Sequence, residues 1–286
     1  MQHCIDSYGN VVTHDYNRIK ISVSGSGQKI ILLLGRKTSP SSIIELKPLI
    51  HFLEDKYTVV TMNYLGSDSS DNYHSMRTLE NITSEIHEVM ELLGYTNYIV
   101  ISLAFAGLYS LYYANKYSDE VTAVVGIDSF VAEQRNNKRH EENVKFVQDM
   151  WLNFRHSRFI QRIVEKAASQ YLKKSKSYIY SKEEIETYSN NAIYMLENMT
   201  LLDEYKCPDE NFETLNHVSF HDNIPVLFIL SSHRSRIIRG WYDLHKKLLR
   251  SNNSKIITLK SSKNLHLTHT EKIAKEIDEF ICSLKQ

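Results

Sequence analysis

The stretch YIVISLAFAGLYSLYYA, residues 98–114, passes from branched apolar residues to an apolar, helix-like run through a set of small residues. Ala104 stands at the centre of this change, with Ser102 two residues before it and Ala106 and Gly107 after it. A strand that enters a helix through a very tight turn needs small residues beside the apex, because the two backbones nearly touch there. We therefore predict a strand, a sharp turn with Ala104 at its tip, and a helix.

The stretch 97–115 carries no charge and is about as long as a membrane-spanning helix. Branched residues dominate up to Ile101, whereas Tyr, Leu and Ala dominate after Phe105. Because the two halves favour different secondary structures, we expect a buried strand and a buried helix. The first residues, MQHCIDSYGNVV, have no positive cluster followed by an apolar core, so we expect no secretory signal.

The composition excludes several functional classes. With 286 residues, 42% of them apolar, the chain can form a sizeable core. Lysine and arginine (34) balance aspartate and glutamate (34), so no overall field attracts nucleic acid or an anionic membrane surface. Cys4, Cys207 and Cys282 show no paired spacing, which indicates neither a disulfide framework nor a zinc ribbon. We expect a cytoplasmic protein with no nucleic-acid or membrane partner.

Apolar runs rich in β-branched residues alternate with helical patterns along most of the chain. The runs are Ile19–Ser24, Lys29–Leu34, Tyr57–Asn63, Tyr98–Leu103, Val121–Asp128, Ile224–Leu230 and Lys255–Leu259. Runs that are apolar on both faces are typical of a central parallel sheet. Residues 78–93 have helical spacing and stop at Gly94, and a closing helix is predicted over 270–284. Repeated alternation of strand and helix predicts a doubly wound α/β sheet.

The alternation is interrupted once, from residue 132 to residue 221, where we find no convincing strand. HEENVKFVQDMWLNF (140–154) and SRFIQRIVEKAASQYL (157–172) have the pattern of amphipathic helices. We predict a helical cap inserted into the sheet domain, with the division 1–131, 132–221 and 222–286. Its place in the chain favours a cap over the C-terminal edge of the sheet, where open α/β sheets bind ligands.

Several motifs occur in an order that resembles the α/β-hydrolase family. The turn at Ala104 resembles the nucleophile elbow of that family, small-x-nucleophile-x-small, whose apex is normally a serine. NYLGSDSSD (63–71) is similar to the family's D-x-x-G-x-G-x-S-D loop, with Asn63 and Asp68 as departures. YANKYSDEV (113–121) and HLTHTE (266–271) resemble the segment after the elbow and the C-terminal H-x-x-H-x-E pattern. This resemblance covers nearly the whole chain and implies a mostly parallel eight-stranded sheet flanked by helices, with a helical cap insertion.

The resemblance also defines catalytic positions. A serine hydrolase needs a hydroxyl nucleophile, an imidazole base, a carboxylate that orients the base and two backbone N–H donors for the oxyanion. Ala104 occupies the nucleophile position, and its methyl can neither attack nor hydrogen-bond. Ser102 cannot replace it, since it lies further back within the strand. His266 is the base candidate, although an alternative alignment puts Lys263 at that position and makes His266 the second histidine of the pattern.

The acid and the oxyanion loop also depart from the family pattern. The acid normally follows the run Ile224–Leu230, but residues 223–242 contain no Asp or Glu, and the loop SSHRSR (231–236) is cationic. Asp128 is the acid candidate, because some family members place the acid there; a carboxylate that caps a loop is the alternative. The oxyanion loop reads GRKTSP (35–40), in which Arg36 or Lys37 would present an N–H together with that of Phe105.

Other candidate groups have two interpretations each. His266 and His269 lack a third ligand at metal-site spacing, so we expect neither a metal nor a cofactor. A basic segment could collect an anionic ligand where the acid should be, or form a solvated helix face; its members are Arg234, Arg236, Arg239, Lys246, Lys247 and Arg250. Aromatic residues of the cap could line an apolar pocket or pack the cap onto the sheet; they are Trp151, Phe154, Phe159, Tyr171, Tyr178 and Tyr180.

Together these departures predict a pseudo-hydrolase, which keeps the fold and the pocket but has lost ester or amide chemistry and binds a small molecule or a protein partner in the former active-site pocket under the cap. The alternative is a carboxylic-ester or amide serine hydrolase with an engineered Ser-to-Ala nucleophile, in which Asp128 and His266 complete the triad. A third hypothesis is an enzyme that uses His266 as a base without a covalent step. A homodimer or a protein partner is compatible with all three.

Overall fold

The computed structural model describes residues 9–68, 70–71, 76–134, 145, 149, 156–197, 208–261 and 264–284. Within these residues one sheet has the strand order β1-β2-β4-β3-β5-β6-β7-β8. The strands are β1 Asn10–Val12, β2 Arg18–Ser24, β3 Ile30–Leu34, β4 Thr58–Met62, β5 Tyr98–Leu103, β6 Val121–Ile127, β7 Val226–Ser231 and β8 Lys255–Leu259. The β1–β2 and β2–β4 pairs are antiparallel and the others are parallel. This confirms the predicted eight-stranded, mostly parallel sheet.

Helices join the strands. They are α1 Ser42–Glu45, α2 Lys47–Leu53, α3 Leu79–Leu92, α4 Ala106–Lys116, α5 Arg158–Leu172, α6 Lys182–Glu197, α7 Pro208–Thr214, α8 Ser232–Ile237, α9 Trp241–Lys246, α10 Leu265–Thr268 and α11 Thr270–Ser283, with a 3-10 helix over Ala132–Gln134. The predicted helices over 78–93, 157–172 and 270–284 correspond to α3, α5 and α11. Most of the helix predicted over 140–154 lies outside the described residues.

The central strands are buried on both faces because helices cover each side of the sheet. In β3, Ile31 and Leu33 belong to an apolar layer that includes α2 and α11. Leu32 and Leu34 belong to the opposite layer, which includes α3 and α4. This two-sided burial explains why the strands could be recognised from their apolar runs. The run Asn10–Val12 was not predicted, because three residues at the sheet edge are too few to show a period.

The helices α5 and α6, which we call the helical pair, follow β6 and precede β7 in the chain. They pack together through buried residues such as Leu172 and Tyr188, and this cluster includes Ile44 of α1. Tyr180, just before α6, donates a hydrogen bond to the carbonyl oxygen of Glu45 at 2.9 Å. The helical pair therefore lies on the segment that follows β3, at the carboxyl edge of the parallel strands.

Residues 98–116 form the buried strand β5 and the buried helix α4, as their composition predicts. In the described part of the chain, no helix is long and apolar enough to cross a membrane.

Gly107 lets α4 approach the end of β6, which gives a prediction. A Cβ at this position would lie 2.6 Å from the Cβ of Ser129 and 3.0 Å from the carbonyl oxygen of Phe130. We expect Gly107→Ala to lower the free energy of unfolding by about 1–3 kcal/mol, because overpacking forces the backbone apart. The measurement is urea denaturation. The control Lys116→Ala, at the surface end of the same helix, should cost less than about 1 kcal/mol; an equal loss in both variants would contradict the prediction.

Candidate active site

Ala104 forms the tip of a sharp turn between the end of β5 and the start of α4. Its φ of 48° is in the left-handed region, which costs an L-residue roughly 1–2 kcal/mol. Hydrogen bonds compensate this cost: the N–H of Ala104 donates to the oxygen of Ile127 at 3.1 Å, and its oxygen accepts from Phe130 at 2.8 Å and Gly107 at 3.0 Å. The turn is thus fastened to the end of β6, with the methyl of Ala104 at its tip.

A cavity of about 200 Å³ lies in front of this methyl. It is lined by Arg36, Leu103, Ala104, Ile127, Asp128, His233, Arg234, Ile237, Asn264, Leu265 and His266. The structure thereby brings four predicted site residues to one cavity: Ala104, Asp128, His266 and Arg36. Ser102 is fully buried behind the turn, where its hydroxyl lies 3.0 Å from that of Ser110.

Asp128 has the contacts of a carboxylate that caps a loop. Its φ is 46°, its Oδ1 accepts from the N–H of Ser231 at 2.7 Å, and its Oδ2 lies 3.8 Å from Nε of Arg234. Among the described residues, no hydrogen bond or ion pair joins Asp128 to His266. The structure places the acid and base candidates on the same cavity but does not bring them into contact.

His266 instead contacts a second carboxylate and a phenol. Its Nε2 lies 2.9 Å from Oε1 of Glu45 and 2.9 Å from the hydroxyl of Tyr171 in α5. The side chain is almost fully buried, and its carbonyl oxygen accepts from the hydroxyl of Thr270 at 2.7 Å. One nitrogen of the ring is therefore occupied by two partners, neither of which belongs to the turn at Ala104.

Glu45, at the end of α1, is the centre of this arrangement. It was not predicted from the sequence as a site residue. It is 1% exposed. Six contacts surround its carboxylate: Arg36 Nε (2.6 Å), Arg36 Nη2 (2.9 Å), Ser39 Oγ (2.5 Å), the Tyr171 hydroxyl (2.7 Å), the Tyr188 hydroxyl (3.0 Å) and His266 Nε2 (2.9 Å). The available signal was an isolated acid in the apolar stretch SIIELKPLI (42–50).

The charge of Glu45 is maintained by its partners. Burial alone would raise the pKa of this carboxyl, but the charge of Arg36 and the hydrogen bonds from His266 and Arg36 hold the pKa well below its usual range. Burial and the adjacent charge of Glu45 raise the pKa values of Tyr171 and Tyr188 well above the ordinary value, so both phenols stay protonated and can donate. Glu45 is accordingly an ionised, buried anion beneath the helical pair.

The loop after β3 also differs from a glycine-rich oxyanion loop. The side chain of Arg36 turns to Glu45, and its guanidinium carbon lies 4.7 Å from the ring centroid of Tyr171. Lys37 is buried, with its Nζ 4.3 Å from the ring centroid of Phe105. In the described residues the backbone N–H of Phe105 donates no hydrogen bond, and Phe105 is not among the residues that line the cavity in front of Ala104.

The two departures in the loop after β4 contact each other. Asn63 Nδ2 donates to Oδ2 of Asp68 at 2.7 Å, and the hydroxyl of Ser41 reaches the same oxygen at 3.0 Å. Asp68 has a φ of 52°, which a glycine would adopt without strain. The family's Asp and Gly at these positions are thus replaced by a hydrogen-bonded pair.

The other histidine, lysine and aromatic residues that the sequence singled out lie away from the turn at Ala104 or outside the described part of the chain. Lys263, Trp151 and Phe154 lie outside the described residues. Phe159 is exposed, whereas Tyr171 and Tyr180 pack against the segment around Glu45. His269 lies 2.9 Å from the hydroxyl of Thr268. In the described ranges no group of three or more His, Cys, Asp and Glu could hold a metal ion.

Because Glu45 balances the charge of Arg36, we expect removal of the Glu45 charge to destabilise the protein strongly. We expect Glu45→Gln to lower the free energy of unfolding by about 3–5 kcal/mol at neutral pH, because the partly buried guanidinium of Arg36 loses its fully buried counter-charge. Urea denaturation measures the change. The control Glu183→Gln, on the exposed face of α6, should change it by less than about 0.5 kcal/mol.

The stability lost in Glu45→Gln should depend on pH, because it requires the Glu45 carboxyl to be ionised. The folded pKa of Glu45 is lowered, so its stabilisation is complete above the unfolded pKa of about 4.3 and is lost as the pH falls through the folded pKa. The difference between wild type and Glu45→Gln should therefore shrink below about pH 4. A difference that is constant from neutral to acidic pH would contradict an ionised Glu45.

The chain matches a known protein family over most of its length. A sequence model described as the alpha/beta hydrolase fold matches residues 30–270. None of the curated protein sequences compared with the chain matches it.

Solved structures share the fold at low identity. An epoxide hydrolase from Bacillus megaterium has a TM-score of 0.73 and 15% identity, covering 95% of this chain and 99% of that one. An epoxide hydrolase from Vigna radiata has a TM-score of 0.71 and 16% identity over 96% and 97% of the two chains. The enol-lactonase from Burkholderia xenovorans LB400 has a TM-score of 0.66 and 13% identity over 96% and 100%. The sequence match over most of the chain, together with the eight-stranded sheet, shows that this chain belongs to the α/β-hydrolase family.

Proposed function

We propose that this chain is a pseudo-hydrolase, which binds a small molecule in the former active-site cavity and does not cleave esters or amides through a serine. The observation that carries the proposal is the turn at position 104: the backbone has the left-handed φ of a nucleophile elbow, and its tip carries a methyl group. A methyl group cannot attack a carbonyl carbon. The cavity in front of it keeps a volume suited to a small ligand.

The environment of the histidine supports the same proposal. In a serine hydrolase one imidazole nitrogen takes the proton of the nucleophile while a carboxylate holds the other nitrogen. Here Nε2 of His266 is occupied by Glu45 and Tyr171, and the carboxylate of Asp128 is engaged with Ser231. A hydroxyl placed at the turn would therefore find no base poised to receive its proton.

The alternative, a hydrolase whose serine was replaced by alanine, requires Asp128 to orient His266. The contacts of both side chains count against it, and so does the cationic loop after β7, where residues 223–242 contain no acid. Loss of the nucleophile alone would leave the other parts of the machinery in place. Here the acid position and the oxyanion loop differ as well, and Nε2 of the base candidate His266 is engaged by Glu45 and Tyr171.

A substitution at the turn distinguishes the two. We expect Ala104→Ser to show no labelling by a fluorophosphonate probe above that of the wild-type chain, because no base activates the new hydroxyl. Mass spectrometry measures the bound phosphonate, and an authentic serine hydrolase serves as the positive control for the probe. The wild-type chain is the matched control, since it differs by one oxygen atom. Rapid stoichiometric labelling at position 104 would overturn the proposal.

A further inference from the structure

Arg234, in α8, has an unusual environment for a cation. Its side chain is three-quarters buried, with 25% exposed, and it lines the cavity in front of Ala104. The guanidinium carbon lies 4.8 Å from the ring centroid of Phe130 and 5.7 Å from that of Trp241. Its nearest anion is Asp128, at 3.8 Å, which is too far for a hydrogen bond. Aromatic rings thus hold the guanidinium in place without satisfying its N–H groups.

No acceptor among the described residues receives a hydrogen bond from this guanidinium, which carries five N–H donors. Burial lowers the pKa of Arg234, and the charge of Asp128 offsets only part of that effect. A partly buried cation is costly unless it is both paired and hydrogen-bonded. An acceptor supplied by a ligand in the cavity would remove this cost.

The other walls of the cavity fit such a ligand. His233 and Asn264 line it, and within the described ranges their side chains make no hydrogen bond. Arg36, the other guanidinium on the cavity, is already compensated by Glu45. His266 also lines the cavity, and its Nε2 is already in contact with Glu45 and Tyr171. The other lining residues are apolar, namely Leu103, Ala104, Ile127, Ile237 and Leu265, with Asp128 as the one acid.

We propose that the cavity binds a small organic carboxylate, whose two oxygens accept a forked pair of hydrogen bonds from Arg234. Arginine presents parallel N–H groups that match a planar carboxylate. His233 and Asn264 supply further polar contacts, and the body of the ligand lies against Leu103 and Ala104. The cavity of about 200 Å³ is somewhat larger than an apolar cavity of about 150 Å³ that binds benzene, so its size suits a ligand such as benzoate. This inference rests on the proposed function, which it specifies by ligand class.

The same helix offers a matched control. Arg236 is two residues from Arg234 and is exposed, with its Nε donating to the oxygen of Ser232 at 3.2 Å. It does not line the cavity. Arg236→Gln therefore removes the same charge from the same helix without removing the proposed contact.

Titration calorimetry with sodium benzoate and with benzamide tests the assignment, because the two probes differ chiefly in charge. We expect the wild-type chain to bind benzoate at least about tenfold more tightly than benzamide, and Arg234→Gln to lose this difference. Arg236→Gln should bind benzoate as the wild type does. Arg234→Lys keeps the charge without the fork, so it should bind benzoate more weakly than the wild type. Far-UV circular dichroism and thermal unfolding establish that each variant is folded.

Two results would overturn the carboxylate assignment: equal binding of benzoate and benzamide, or benzoate binding that Arg234→Gln leaves unchanged. Tighter binding of inorganic phosphate than of benzoate, with the same dependence on Arg234, would assign the site to phosphate instead. These failures are distinct from failure of the proposed function, which is judged by the labelling of Ala104→Ser and needs no anion.

A substitution at Asp128 should strengthen benzoate binding, whereas substitutions at Arg234 should weaken it. It is the one carboxylate on the cavity and faces Arg234, so it repels the bound anion. Asp128→Asn keeps an oxygen that accepts from Ser231 and tolerates the left-handed backbone. We expect this variant to bind benzoate several-fold more tightly while benzamide binding stays the same, measured by the same titration. Weaker or unchanged benzoate binding would contradict the proposed position of the ligand.

Discussion

A carboxylate buried to 1% exposure must be compensated on every side, and Glu45 draws this compensation from three separate parts of the chain. Arg36 and Ser39 come from the loop after β3, Tyr171 and Tyr188 from the helical pair, and His266 from the segment after β8. The carboxyl edge of the sheet, the helical pair and the histidine are therefore held together around one charge. The imidazole of His266 is therefore oriented by Glu45 and not by an acid after β6 or β7.

Two departures from the family pattern bring an arginine side chain to the cavity. A glycine-rich loop after β3 would leave room for a substrate oxygen. Arg36 instead brings a large side chain to this loop, and Glu45 balances its positive charge. Where an acid would follow β7, Arg234 brings a cation to the cavity. The first change gives a buried ion pair within the protein, and the second places a cation on the wall of the cavity. The small residues beside the turn allow its tight backbone, whatever side chain the tip carries.

Sequence patterns predicted the sheet well for a physical reason. Central parallel strands are apolar on both faces, so each run stands out without knowledge of its neighbours. The same reasoning could not find Glu45, because an acid within an apolar helical stretch looks like an exposed residue until its partners are known. It could not join Asn63 to Asp68 either, since the contact depends on how the loop after β4 folds back.

The sequence by itself determined the turn at position 104 and the methyl at its tip, because steric crowding between a strand and the next helix is local. It also determined that residues 223–242 supply no acid. Only the tertiary structure decided the partners of the two candidate catalytic side chains. Glu45 and His266 are 221 positions apart, and Asp128 and Ser231 are 103 apart. Such contacts arise when the sheet and the helical pair come together, and no local pattern of residues encodes them.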